Sequence, residues 1–104
     1  MGKTNIYFIQ RDDEIKIGRS IDIERRIEEL QVANSVNLRL LYKIENVDES
    51  FEEHVQSICS MFHIRGEWFK KDALDHLLKH PFYKENMKKV YPKSKASLGS
   101  AVNS

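Results

Sequence analysis

The spacing of the apolar residues changes at Asp22, and this change limits the folds open to the chain. Before it, residues 4–10 are rich in β-branched and aromatic side chains, and Ile15-Lys16-Ile17 alternates between apolar and polar. These segments predict two short strands that form a hairpin around the polar residues 11–14, with Gly18 closing the second strand. After Asp22 the apolar residues recur at helical spacing, which predicts an amphipathic helix.

The rest of the chain continues with the same two kinds of spacing. Residues 38–44 predict a third strand, and the Ser-x-x-Glu pattern that begins at Ser50 has the form of a capping box opening a second helix. Glu67-Trp68-Phe69 predicts a short extended segment, and residues 72–80 predict a third helix ended by Pro81. The order β-β-α-β-α with a C-terminal helix predicts an α+β fold, in which helices flank a small, three-stranded, mainly antiparallel sheet.

The length and composition describe one globular domain. The chain has 104 residues, of which 40% are hydrophobic and 32% charged. We expect residues 1–90 to form the domain and residues 91–104, which are rich in lysine and serine, to be a disordered tail. No apolar run is long enough for a membrane span or a signal peptide, and the single Cys59 cannot form an internal disulfide. We therefore expect a cytoplasmic protein, or a nuclear one if its source is a eukaryote or a eukaryotic virus.

The charge is divided unevenly along the chain. Residues 1–82 contain 12 Lys and Arg against 15 Asp and Glu, whereas residues 83–104 contain 5 against 1. The compact part is therefore mildly acidic, and the basic excess lies at the C-terminus. This distribution excludes a nucleic-acid binder that is basic throughout, and it leaves room for a locally basic site.

Helical periodicity places two polar residues beside apolar stripes. On the first helix Arg26 lies about 65° from the centre of the stripe, and Arg25 lies nearly opposite it. On the second helix Glu52 lies about 80° from the centre, and Glu53 about 180° away. Arg26 and Glu52 are thus the candidates for a site at the edge of the core. The alternative is that both make ordinary surface ion pairs.

Several short motifs together resemble the GIY-YIG nucleases. Asn5-Ile6-Tyr7 and Lys16-Ile17-Gly18 stand where that family has two strand motifs about ten residues apart, and Arg26 follows on a helix. Glu52 matches the glutamate of the second helix. The segment Arg65-Gly66-Glu67-Trp68-Phe69 is similar to the phage and viral branch, in which a Gly-Glu-Trp-Phe element follows that helix.

The resemblance covers residues 4–80 and implies an endonuclease that hydrolyses DNA phosphodiester bonds with one divalent cation, Mg²⁺ or Mn²⁺. It implies that Tyr7 serves as the general base or assists it, and that Lys16 takes part in the same proton transfer. Arg26 would hold the scissile phosphate, a role that suits a permanently charged, planar guanidinium. Glu52 would bind the cation, since one carboxylate with waters and substrate phosphate is a normal way to hold Mg²⁺.

Each of the two strand motifs departs from the family pattern at one position. Asn5 stands where the first motif has glycine, and Lys16 stands where the second motif has tyrosine. A lysine with a lowered pKa can itself act as the base, so the proton-transfer scheme stays open between Tyr7 and Lys16. We expect the flanking phosphates to contact a further set of polar and basic residues, namely Arg19, Ser20, Arg25, Lys70 and Lys71.

Other functions stay open at this stage. A domain of the same fold that binds DNA without cleaving it is favoured by the acidic compact part and by Lys16. A plain structural domain is the third interpretation. Glu67 is either a second acidic residue of the site or a partner for Arg65, and Trp68 either packs against the sheet or stacks on a base. Because the domain is small, we expect a homodimer or a protein partner to supply specificity.

Two further features carry no functional assignment. His76 and His80 are four residues apart on a helix, but no third zinc ligand accompanies them. His54 is given no role, and Gln56 stands where the phage-like branch often has a histidine.

Overall fold

A computed structural model describes residues 2–91. The part of the predicted tail beyond Tyr91 lies outside the described residues. The elements in chain order are β1 Lys3–Arg11, β2 Glu14–Ser20, α1 Ile23–Val32, β3 Arg39–Asp48, α2 Phe51–Ile58, a 3-10 turn Ser60–Phe62, β4 His63–Arg65, β5 Trp68–Lys70, α3 Asp72–Leu78, α4 Pro81–Asn86 and β6 Lys88–Lys89. No helix in this part of the chain is long and apolar enough to cross a membrane.

The strands form one antiparallel sheet in the order β4-β5-β2-β1-β3-β6. The α+β class predicted from the sequence is confirmed, but the prediction of three strands is wrong. The three predicted strands form the centre of the sheet, and β4, β5 and β6 extend it on both sides. These outer strands have only two or three residues each, too few for an alternating pattern to be recognised in the sequence. The predicted extended segment Glu67-Trp68-Phe69 overlaps β5, but the predicted sheet does not include it.

The β1–β2 hairpin turns more tightly than predicted. Arg11 pairs with Glu14, so the turn contains only Asp12 and Asp13 rather than the four polar residues 11–14. Asp12 has a φ of 55°, a left-handed conformation that a short polar side chain tolerates better than most. The tight register fixes which residues face each other across the two strands.

Two apolar cores lie on opposite faces of the sheet, and β1 contributes to both. Ile6 and Phe8 face the larger core, which is closed by α2, α3 and α4. Tyr7 and Ile9 face the smaller core, which is closed by α1. All four side chains are at most 1% exposed. The alternation of a strand explains the division, because successive side chains point to opposite faces.

The two helices that carry the candidate residues begin differently. Asp22 caps α1, since its Oδ1 accepts a hydrogen bond from the Arg25 N–H at 3.2 Å, and Ser20 Oγ accepts from the Asp22 N–H at 3.0 Å. The predicted capping box at Ser50 is wrong. Ser50 Oγ donates to Asp48 Oδ2 at 2.6 Å and makes no capping bond to α2, because a carboxylate two residues earlier competes for it.

The third predicted helix is confirmed but ends two residues early, and the C-terminal helix follows it separately. α3 ends at Leu78, and His80 is extended with a ψ of 130°, as expected for a residue that precedes a proline. Pro81 then occupies the first turn of a separate helix, where its missing N–H is not needed.

Candidate active site

Tyr7 occupies the centre of the candidate site. It lies on β1 opposite Gly18 on β2, and it is only 1% exposed. A Cβ added at Gly18 would lie 2.5 Å from Tyr7 Cζ and would overlap the hydroxyl oxygen. The absent side chain at position 18 therefore allows the hydroxyl end of the tyrosine ring to lie directly against β2 at Gly18.

Arg26 projects from α1 toward the Tyr7 hydroxyl. Burial raises the pKa of Tyr7, and the hydrogen bonding and charge of Arg26 offset part of that rise. The same contact raises the pKa of Arg26. The Arg26 side chain is 43% exposed, and its Nη1 also lies 3.3 Å from Glu29 Oε1. Arg25 is 76% exposed and pairs with Glu29 on the outer surface. The predicted placement of the two arginines relative to the core is confirmed.

Two carboxylates lie side by side near the point on β2 where its pairing with β5 ends. Glu52 comes from α2 and is 15% exposed, and Glu67 directly precedes β5. Arg19 Nε lies 3.6 Å from Glu52 Oε1, and Lys16 Nζ lies 3.3 Å from Glu67 Oε1. The carboxylates and the two cations form a compact cluster at the β2 edge, so Glu67 belongs to the site.

The ion pair that Arg65 makes decides between the two interpretations of Glu67, as a partner for Arg65 or as an acidic residue of the site. Arg65 Nη2 lies 3.2 Å from Glu14 Oε1, and Arg11 Nη2 lies 3.4 Å from the same oxygen. Arg65 thus pairs with Glu14 at the far end of β2, and Glu67 pairs with Lys16.

Gln56 fixes the position of Glu52, the residue predicted to bind the metal. Its Nε2 donates to the backbone carbonyl of Ile17 at 2.8 Å and lies 3.3 Å from Glu52 Oε2. The pairing of β5 with β2 ends at Lys16. The side-chain amide of Gln56 therefore supplies the hydrogen bond to the carbonyl of the next residue, Ile17. Sequence analysis missed this role because the contact spans 39 residues and has no local pattern.

Burial and like charges set the ionisation of the site. Burial raises the pKa of Tyr7 most, and Glu67 and Glu52 raise it further, while Arg26 opposes them. Burial also raises the pKa of Glu52, and the neighbouring Glu67 adds to that rise against the opposing charges of Arg19 and Lys16. In the absence of a further positive charge, the site favours the neutral tyrosine.

Comparison with known families gives the family of this chain. The family model of the T5orf172 domain matches residues 4–89. The chain belongs to the T5orf172 domain family. This phage-associated domain has the GIY-YIG-like nuclease fold, in line with the resemblance in the sequence, and membership is consistent with a nuclease-like or DNA-binding role. Neither the curated proteins nor the solved structures contain a significant match.

The T5orf172 domain brings together the four residues predicted to be catalytic. Tyr7, Lys16, Arg26 and Glu52 come from β1, β2, α1 and α2 and influence one another within one cluster. Their roles in a reaction stay predictions. Glu67 completes the cluster.

The residues predicted to contact flanking phosphates are more widely spread. Arg19 lies on the cluster beside Glu52. Ser20 is engaged in the turn before α1, and Arg25 is on the outer surface of that helix. Lys70 and Lys71 are both exposed at the hairpin-turn end of β2, where the Lys71 N–H donates to the Asp13 carbonyl at 3.2 Å.

Trp68 packs in the T5orf172 domain rather than standing free on its surface. The indole lies against the smaller core, and Arg11 Cζ is 4.1 Å from the ring centroid. Lys16 Nζ is 5.4 Å from the same centroid. The packing alternative for Trp68 is therefore the one that the structure shows.

The donor set of the cluster suits a hard divalent cation. Within residues 2–91 no group of three or more His, Cys, Asp or Glu side chains is arranged for a metal. Glu52 and Glu67 nevertheless offer adjacent carboxylates, and Mg²⁺ is usually held by one or two carboxylates with waters and substrate phosphates. The two residues fit such an ion.

Proposed function

We propose that this T5orf172 domain is an endonuclease that hydrolyses DNA phosphodiester bonds with one divalent cation, and that it belongs to the phage and viral branch with the Gly-Glu-Trp-Phe element. One observation supports the proposal above the others. Tyr7, Lys16, Arg26 and Glu52 lie on four separate elements, yet Arg26 and Glu52 both act on Tyr7, and Lys16 acts on Glu52.

Arg26 is the phosphate-binding group in this proposal. Its guanidinium is partly exposed and lies beside the Tyr7 hydroxyl, so a phosphate bound there would sit next to the proposed base. The guanidinium stays charged and can donate two parallel hydrogen bonds to phosphate oxygens. It would offset the negative charge that builds up on those oxygens as water attacks.

Tyr7 and Lys16 are the groups proposed to move the proton. The attacking water forms a bond to phosphorus and gives one proton to Tyr7 as a phenolate or to Lys16 as a neutral amine. The ester bond breaks, and the leaving oxygen keeps its electron pair and takes a proton from solvent. Tyr7 can accept the proton of the water only as a phenolate, which burial and the two carboxylates disfavour. A cation held by those carboxylates would offset part of that disadvantage.

Glu52, with Glu67 beside it, would hold the divalent cation, Mg²⁺ or Mn²⁺. When bound, the ion supplies positive charge that stabilises the reacting phosphate. Gln56 orients Glu52 through its hydrogen bond, and Arg19 and Lys16 balance the carboxylates. The half-buried position of Glu52 restricts its rotamers, which favours a fixed donor geometry.

DNA is the proposed partner, and the contacts extend beyond the cluster. Arg19 and Arg25 flank the start of α1 and are both substantially exposed. Together with Ser20, Lys70 and Lys71 they are proposed to bind neighbouring phosphates. A second copy of the chain or a protein partner would supply the remaining contacts. Such binding weakens as the salt concentration rises, because it releases condensed counterions from the DNA.

The test compares matched variants in one cleavage assay. Plasmid DNA and branched DNA are each incubated with Mg²⁺ or Mn²⁺ and the wild-type protein, and with Glu52→Gln and Arg26→Ala. We expect cleavage by the wild type and loss of at least about a hundredfold in each variant, the range found for removed charge-stabilising groups. The exposed Glu53→Gln and Arg39→Ala serve as matched controls and should cut normally. A wild type that cuts none of these substrates with either metal contradicts the proposal.

A DNA-binding module without turnover is the second candidate. The observation that favours it is the pairing of Lys16 with Glu67 at the position where the nuclease pattern has a tyrosine. In the same assay this function predicts salt-sensitive DNA binding by the wild type with no cleavage.

A further inference from the structure

Lys16 is held unusually firmly for a lysine, on a strand that is paired on both sides. Its side chain is 15% exposed, and its Nζ lies 3.3 Å from Glu67 Oε1. The same ammonium lies 5.4 Å from the ring centroid of Trp68, which is its direct partner in the β2–β5 register. A lysine ordinarily populates many rotamers, and these two contacts select among them.

The indole that contacts Lys16 is itself fixed. Arg11 lies against it, with Cζ 4.1 Å from the centroid. Arg11 is in turn anchored by Asn34 Oδ1 at 3.0 Å and by Glu14 Oε1 at 3.4 Å. The ring also packs on the smaller core beneath α1. Trp68 is therefore a rigid platform rather than a mobile surface side chain.

We propose that Trp68 is a positioning residue that acts through Lys16. The negative face of the indole and the Glu67 carboxylate together keep the ammonium at the cluster, where its charge reaches Glu52. Without the ring, the side chain of Lys16 gains rotamers that carry the ammonium into solvent. This inference depends on the proposed function only in assigning Lys16 to the reaction; the contact itself is independent of any activity.

Two substitutions separate positioning from packing. Trp68→Phe keeps an aromatic face for the ammonium, whereas Trp68→Leu keeps an apolar side chain but removes that face. If Trp68 only filled space in the core, the two variants would have similar effects. If Trp68 positions Lys16, the Trp68→Phe variant should keep most of the cleavage activity that Trp68→Leu loses.

The first measurement is a double-mutant cycle on kcat for DNA cleavage. We expect Trp68→Leu to lower kcat about tenfold with little change in KM, and Trp68→Phe to retain most of it, as the usual strength of a cation–π contact predicts. In a Lys16→Met background the loss caused by Trp68→Leu should disappear, because the residue through which it acts is gone. Equal losses in both backgrounds overturn the proposal.

The second measurement needs no catalysis. The ε-methylene protons of Lys16 should show an upfield ring-current shift in the NMR spectrum of the wild type and of Trp68→Phe, and an ordinary shift in Trp68→Leu. Tyr91→Leu removes a comparable contact, that of Lys89 Nζ at 5.7 Å from an exposed ring, and should leave the Lys16 signals unchanged. An ordinary shift in the wild type overturns the positioning role. A shifted signal with no cleavage contradicts the nuclease instead.

Discussion

The hydroxyl end of Tyr7 occupies the space that a side chain at position 18 would need. Gly18→Ala should therefore force the tyrosine ring or the β1–β2 pairing to move, since the added Cβ would lie 2.5 Å from Tyr7 Cζ. We expect the free energy of unfolding to fall by about 1–3 kcal/mol, the usual result of overpacking, with loss of cleavage. Urea denaturation measures the first effect. Gly2→Ala, where the nearest atom would be 3.7 Å away, is the control and should change stability little.

The ionisation of Tyr7 should respond in opposite directions to two neighbours. In metal-free protein we expect it to titrate above the ordinary pKa of 10.0, because burial and the carboxylates oppose the phenolate. Glu67→Gln should lower the pKa of Tyr7, and Arg26→Ala should raise it. The tyrosinate absorbance of each protein, minus that of the same protein carrying Tyr7→Phe, isolates this group from the other tyrosines. Shifts in the reverse directions would show that the cluster is not arranged as described.

Glu52 should destabilise the protein at neutral pH. Its pKa in the folded state is raised above the ordinary 4.5, so folding favours the protonated carboxyl and stability falls as the pH rises through that range. We expect Glu52→Gln to unfold at a higher temperature than the wild type at neutral pH. The difference should vanish in acid, below the ordinary pKa, where both side chains are neutral. Thermal melts over a series of pH values measure it.

Glu45 is a control for Glu52, because its pKa is shifted in the opposite direction. Hydrogen bonds from Lys88 and Lys43 lower the pKa of Glu45, so its contribution to stability is present at neutral pH and is lost as the pH falls through the lowered pKa. Glu45→Gln should therefore destabilise the protein slightly at neutral pH, by less than about 1 kcal/mol for an exposed pair. Stabilisation by both substitutions would contradict the electrostatic account.

Gln56 should affect stability and cleavage together. Gln56→Met leaves the Ile17 carbonyl without its 2.8 Å hydrogen bond and releases Glu52. We expect the free energy of unfolding to fall by about 1–2 kcal/mol, the cost of an unsatisfied, partly buried acceptor. In the proposed nuclease, kcat should fall as well. Ser57→Ala, at the exposed next position of α2, should leave both quantities unchanged, and equal effects of the two variants would rule out the role of Gln56.

The parts of the fold that local sequence could predict are those with a sustained period. α1 and the orientation of Arg26 and Glu52 follow from helical spacing over at least eight residues. The apolar face of such an element is the buried one, so the sequence alone predicts which of its side chains face the core. The hairpin follows from the β-branched and aromatic composition of residues 4–10 and the short alternation at Ile15-Lys16-Ile17. The resemblance to nucleases then indicated which edge residues to bring together.

The remaining features depend on contacts that no local pattern encodes. Lys16 meets Glu67 across 51 positions, and Gln56 reaches Ile17 across 39. β6 exists only because Lys88 and Lys89 pair with β3. Ser50 has the sequence of a helix cap, but a competing carboxylate at Asp48 takes its hydroxyl. In each case a partner distant in sequence, or a nearer competitor, decides the outcome.

The division of β1 between two cores restricts how this chain can change in evolution. If one residue were inserted in β1 before Tyr7, the residues before the insertion would turn to the opposite faces of the sheet. If β1 instead shifted by one residue relative to its neighbours, Tyr7 would be buried in the larger core beneath α2 and α3. Lengthening the exposed turn at Asp12 and Asp13 leaves that parity intact. Relatives should therefore vary in the length of this turn while keeping the length of the strand, so that the tyrosine always emerges on the side of the arginine helix.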